Sequence, residues 1–114
     1  MTTIYKICPA AAWQAAEAAG IFRGAGVDLA DGFIHFSTAG QVRETAARHF
    51  AGVAGLVLVA FDDLSLGADL RYEPSRGGAL FPHLHGPLDP ALALWVEPLP
   101  VGGDGRHRFP DLIP

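Results

Sequence analysis

A chain of 114 residues, half of them hydrophobic, with 12 acidic and 8 basic side chains and a net charge of −4, is sized for one domain with its own core. At that length roughly 60–70% of the unfolded surface can be buried, so folding requires neither disulfides nor a structural metal. The acidic balance excludes the basic field that non-specific nucleic-acid binding needs.

Ile4–Cys8 is rich in β-formers and stops at Pro9, which predicts a first strand. Pro9 to Ala19 is alanine-dense, with Trp13, Ala16 and Glu17 at helical spacing and Gly20 at the C-terminal cap position. Residues 21–32 carry several glycines together with Asp28 and Asp31 and show no period, which predicts a long loop of the kind that often serves function. Phe33–Phe36 follows as a strand. Ser37 or Thr38 is then expected to cap a helix running to about Phe50, with Thr38 and Gln41 in capping-box spacing.

Leu56–Phe61 is a continuous apolar run and the best central strand. Asp62–Asp63 ends it, Leu64–Gly67 reads as a turn, Leu70–Glu73 as a short strand ended by Pro74, and Ser75–Gly78 as a flexible loop. Phe81–Leu84 is expected to be extended, Ala91–Glu97 to be a strand, Val101–Arg108 to form a hairpin turn, and Arg106–Phe109 to be a short last strand. Strands that follow turns, with helices confined to the N-terminal half, predict an α+β fold: a mostly antiparallel sheet carrying two helices, in a single domain over residues 1–114.

Cys8 is alone, so no intrachain disulfide forms and a reducing compartment fits. A small buried hydrophobe is its simplest role. Met1–Lys6 lacks a basic stretch followed by an apolar run, and Leu56–Phe61 falls far short of the ~20 residues of a membrane span. The expectation is a cytoplasmic protein with neither membrane nor nucleic-acid partner. A charged fraction of 18%, below the usual ~25%, leaves room for a homodimer.

The chemistry concentrates in Asp31–Thr38 and Phe81–Pro87. Strand alternation places Phe33, His35 and Ser37 on one face and Ile34 and Phe36 on the other. His35 is a candidate hydrogen-bonding or catalytic group, or else a satisfied core histidine. His83 and His85 are two apart and point to one side of an extended segment. Such a pair binds a metal only if a third ligand converges, with Glu73, Asp31 and His35 as candidates, and no metal ligand is assigned. Glu73 closes a strand and can orient His35 or His83 or accept a hydroxyl, with Glu97 as the other late acid. Arg71 and Arg76 flank Glu73 and can meet an anion beside Gly77–Gly78. Tyr5 and Trp95 read as core. No dinucleotide fingerprint, P-loop, nucleophile elbow or paired-cysteine motif is present.

Ile4-Tyr5-Lys6-Ile7, Asp31-Gly32-Phe33-Ile34-His35-Phe36-Ser37-Thr38, Tyr72-Glu73-Pro74, Phe81-Pro82-His83-Leu84 and Gly86-Pro87 together resemble the small bacterial DUF952 family over nearly the whole chain. The resemblance implies a fold like that of the ADP-ribosyltransferases, a split antiparallel sheet whose cleft holds NAD in the active enzymes, and it implies no activity. His35-Phe36-Ser37 is similar to their His-Gly-Ser element, with Phe36 in place of the glycine that leaves space beside the nicotinamide. His85 stands where the family more often has tyrosine.

From these readings comes the expected site: a cleft that binds a nucleotide or another small polar ligand. His35, Glu73 and His83 are its catalytic candidates, and Ser37, Thr38, Arg71 and His85 its ligand contacts. The resemblance makes NAD-type ribosyl transfer the reaction to consider, with His35 positioning the ligand and Glu73 stabilising positive charge on the ribose. A non-catalytic binding or dimerisation module and a histidine-based metal site are the alternatives.

Overall fold

The computed structural model describes residues 1–114 except the side chain of Arg76, so the anion contact expected of Arg76 lies outside the described residues. β1 (Thr3–Pro9) is buried along most of its length and runs directly into α1 (Ala10–Ala19). Gly20 ends α1 in the left-handed conformation, φ 76°, its N–H bonded to the Ala16 carbonyl, as the C-terminal glycine predicts. Trp13 and Ala16, one turn apart, form the buried face of α1.

The segment expected as a plain loop contains a short helix, α2 (Val27–Asp31), between Gly26 and Gly32. Five residues are too few to show an apolar period, and the side chain that α2 buries is a charge, Asp28. The single strand expected at Phe33–Phe36 is two short ones, β2 (Ile34–His35) and β3 (Ser37–Thr38), in different sheets. Ser37 and Thr38 therefore pair with Tyr5 and Ile4 of β1 and do not cap α3 (Val42–His49). Half of the capping box survives: Gln41 Oε1 accepts from the Thr38 backbone N–H at 3.1 Å.

The rest of the chain supplies β4 (Leu56–Asp62), β5 (Leu70–Pro74), β6 (Leu80–Leu84) and β7 (Trp95–Leu99). β7 starts later than expected because Asp89 caps a short 3-10 turn over Pro90–Leu92. Pro98 is tolerated in β7 because that strand is a sheet edge. The strand expected at Arg106–Phe109 is reduced to one bridge, Val101 with His107, beyond which Phe109 packs into the core.

All pairings are antiparallel and form two sheets, β3-β1-β4-β7 and β2-β6-β5. The first is covered on both faces. Ile4, Cys8, Val59 and Phe61 pack with Trp13, Phe22, Ile34, Phe36 and Leu84, while Tyr5, Ile7, Leu58 and Ala60 pack with Val42, Ala46, Leu99 and Ile113. Period-two alternation along β1 thus puts Lys6 on the face of Ile4 and Cys8, which looks toward the second sheet. Among the described residues no helix is long and apolar enough to cross a membrane.

Candidate functional site

The chain leaves the three-stranded sheet at His35 and enters the four-stranded one at Ser37, so Phe36 spans the seam. Its N–H still bonds the Pro82 carbonyl of β6 at 2.9 Å, and its ring is buried edge-on against Phe61 at 5.7 Å. Beside the seam lies Lys6. Its ammonium meets Asp28 Oδ2 at 2.7 Å, with the two side chains 6% and 0% exposed, and donates to the His35 carbonyl at 2.9 Å. A lysine on a covered strand needs such a partner, because an unpaired charge there is costly.

Asp28 organises this corner. Its Oδ1 accepts from the backbone N–H of His35 at 3.0 Å and lies 2.7 Å from His35 Nδ1, while Oδ2 also accepts from the Ala25 N–H at 3.0 Å. Gly24 permits the seat: a Cβ there would fall 2.7 Å from the Asp28 Cβ. Burial by itself raises a carboxyl, but the hydrogen bond from His35, the Lys6 charge and the Ala25 N–H outweigh it and hold Asp28 at about 2. Burial pulls Lys6 below its ordinary value, and contact with Asp28 opposes that pull. Asp31 Oδ2 lies 3.0 Å from His35 Nε2, so the ring is held between two carboxylates.

The register of the three-stranded sheet sets His83 directly opposite both His35 and Arg71. The His35 and His83 rings are 5.3 Å apart, so the two expected histidine segments do meet. Glu73 Oε1 lies 2.9 Å from His83 Nδ1 and 2.7 Å from His85 Nε2. An ionised carboxylate only accepts, so those two nitrogens carry the hydrogens. The bonds from His85 and His83 lower the Glu73 carboxyl, while burial is the main cause that lowers His83, against the pull of Glu73. His83 Nε2 has no hydrogen-bond partner among the described residues. Phe33 joins the group, its ring 4.5, 4.3 and 5.0 Å from those of His35, His83 and His85.

A cavity of about 490 Å³ opens at the seam, and its walls include Lys6, Asp28, Asp31, His35, Ser37 and His83. Ser37 is buried there, its Oγ 2.8 Å from Thr45 Oγ1. Of the other expected contacts, Glu73 reaches the cavity only through His83, and His85 lies on a neighbouring groove with Arg23 and Gly86. Thr38 and Arg71 are outside the cavity walls, Arg71 being exposed on β5. Glu97 is on β7 of the other sheet. Tyr5 is core and packs on Trp95 at 5.9 Å. Cys8 is buried, and its thiol is pushed up to about 11 by burial, which makes it a poor nucleophile.

Lys6, Asp28 and Phe33 carry much of this geometry, and sequence reasoning gave none of them a role. A signal existed for two: a lysine inside an otherwise apolar strand demands a buried acid, and Asp28 sits among the glycines that permit close approach.

Comparison with known proteins returns one family and one set of structures. A family model described as "Protein of unknown function (DUF952)" matches residues 7–96. No match is found among curated proteins. The X-ray structure of CC0527 from Caulobacter crescentus is 50% identical to this chain, with a TM-score of 0.90 and 94% of each chain covered. A double mutant of CC0527 is 48% identical with a TM-score of 0.89 over the same shares. The solution NMR structure of CC0527 is 52% identical with a TM-score of 0.83, covering 93% of this chain and 91% of that one. With most of its length inside the family model, and a solved relative at half identity over nearly the whole fold, this chain belongs to the DUF952 family.

Proposed function

We propose that the cavity at the seam of the two sheets binds a small polar ligand, with His83 as its hydrogen-bond acceptor or general base and His35 as its positioning group. The observation that carries this is the polarity of the His83 ring. Glu73 holds the hydrogen on Nδ1, and Nε2 is a lone pair without a protein partner among the described residues, on a ring that lines the cavity. Because burial lowers His83, the neutral, accepting form persists at physiological pH.

The resemblance to the ADP-ribosyltransferases, with two antiparallel sheets parting around a cleft, favours a ligand that contains a ribosyl group. In ribosyl transfer, His83 Nε2 takes the proton of an attacking hydroxyl as its oxygen bonds the anomeric carbon and the leaving base departs with the bonding electrons. Glu73 then acts through His83, steadying the imidazolium, rather than on the ribose directly. By the same resemblance Phe36 stands in for the glycine that leaves space beside a nicotinamide, so ADP-ribose and nucleosides are tested alongside NAD.

Thermal melting with each of these compounds, in the presence of a chelator, is the experiment. A ligand at 100 times its Kd stabilises by about 2.7 kcal/mol. The expected result is a shift with a ribosyl compound that is lost in folded His83→Gln and His35→Ala proteins. No shift with any of them overturns the reading.

A second reading, a homodimerisation module, is favoured by a separate observation. Leu92, Leu94 and Val96, on and just before the edge strand β7, are 37%, 53% and 37% exposed. A mass in solution of twice the chain, returned to one chain by Val96→Lys, is its expected signature.

A further inference from the structure

We infer that Glu73, His83 and His85 form a binding site for a divalent transition-metal ion of the zinc class. Each offers one ligand atom, and the three atoms lie within 4.8 Å of one another. Two imidazoles and one carboxylate are a donor set suited to zinc and its neighbours, and three protein ligands leave a position for water or a substrate atom.

The fold selects these three among the acids and histidines of the site. His35 is committed, with Asp28 on one nitrogen and Asp31 on the other. His83 and His85 alternate onto one side at the end of β6, and Glu73 projects from the adjacent strand β5 to both. Phe33 lies against both rings, which restricts their rotation and preorganises the donors. An entry path exists, since the His85 and Glu73 side chains are 30% and 34% exposed. Arg71, opposite His83, is exposed and free to turn its charge into solvent.

Binding needs no net proton release from neutral rings. The hydrogen on His83 Nδ1 and that on His85 Nε2 leave the nitrogens that face Glu73 and reappear on the opposite ones, so each ring ligates as neutral imidazole. The carboxylate stays ionised and exchanges two hydrogen bonds for one metal bond. A consequence for the cavity follows: with metal bound, His83 Nε2 changes from acceptor to donor. The metal site does not rest on what fills the cavity, and the two readings are separable because ligand melting is done with chelator and metal titration without ligand.

The experiment is titration of the chelator-stripped full chain with Zn²⁺ by calorimetry and with Co²⁺ by visible absorption. The expected result is one ion per chain with micromolar affinity or better, and a Co²⁺ ligand-field band. His85→Ala and Glu73→Gln are each expected to weaken binding by roughly 10- to 100-fold or more, the range already found when only an outer-shell partner is lost. Glu97→Gln, on the other sheet, is expected to bind as wild type. Millimolar or no binding by the wild type, or unchanged affinity in Glu73→Gln, overturns the proposal. Glu73 is partly exposed and Gln keeps its shape, so that variant decides the matter even if His85→Ala fails to fold.

Discussion

Asp28 meets its histidine from inside the core, with Lys6 behind it and no exposed atom, whereas Glu73 meets two histidines from the rim, with about a third of its side chain in solvent. Both are carboxylates against imidazole at 2.7 to 2.9 Å. Their surroundings divide the labour. Around Asp28 every charge is answered by a neighbour fixed in a strand or turn, so the group anchors the chain as it passes from one sheet to the other. Around Glu73 the geometry is equally close, but the Glu73 and His85 side chains are partly exposed, so water reaches the carboxylate and a ligand or ion can enter. The molecule keeps its costly electrostatics where they hold the seam and its adjustable electrostatics where something can reach them.

The largest effect expected of this contrast comes from removing the core cation. Lys6→Met leaves the Asp28 carboxylate buried without its ammonium, and breaking such a pair typically costs about 3–5 kcal/mol. Urea denaturation measures it. Replacing both partners, Lys6→Met with Asp28→Asn, is expected to recover part of that loss, since the amide oxygen still accepts from the buried N–H groups of Ala25 and His35 while no charge is left without its partner. A single-variant loss below about 1 kcal/mol would place Asp28 with Glu73 among solvent-screened groups.

Acid titration of stability gives the next effect. Asp28 is held at about 2 in the folded chain against an ordinary 3.8. A carboxyl depressed by folding contributes stability that is fully present above the unfolded value and lost as pH falls through the folded one. About 2 kcal/mol should therefore disappear as pH falls from near 3.8 toward 2. Asp28→Asn should flatten that part of the curve. Glu73 is lowered too, through its bonds from His85 and His83, and so adds in the same direction, but its exposure makes its share the smaller one.

Much of the frame was legible in the sequence, because β1, β4, β5 and β6 are short runs of β-formers bounded by proline, aspartate or glycine. Alternation likewise placed Phe33 with His35 and His83 with His85. Alternation is blind, however, to which sheet a strand joins. Phe33–Thr38 keeps its period through Phe36, and only the long-range pairing with β6 and then β1 shows that the sheet changes there. The same pairing took Ser37 and Thr38 out of the helix cap. Asp28 was missed for a related reason: a charge in a glycine-rich segment reads as solvated until a buried lysine is found opposite it, some twenty residues earlier in the chain.

The smallest effect distinguishes the rim carboxylate most directly. Glu73→Gln keeps an oxygen in reach of His83 Nδ1 and His85 Nε2 but removes the charge. Stability should hardly change, because the carboxylate is open to water and the amide oxygen still accepts. The His83 titration should move, since burial already lowers it, His35 and His85 lower it further, and Glu73 is what raises it. Without that charge His83 should titrate still lower, and nuclear magnetic resonance of its ring protons follows this directly. The ring nitrogens report a second change: the preference for hydrogen on Nδ1 should weaken, because a neutral amide no longer compels it. A His83 titration that stays put would mean that in solution Glu73 faces water, and the rim would then be an ordinary charged edge rather than a counterpart to Asp28.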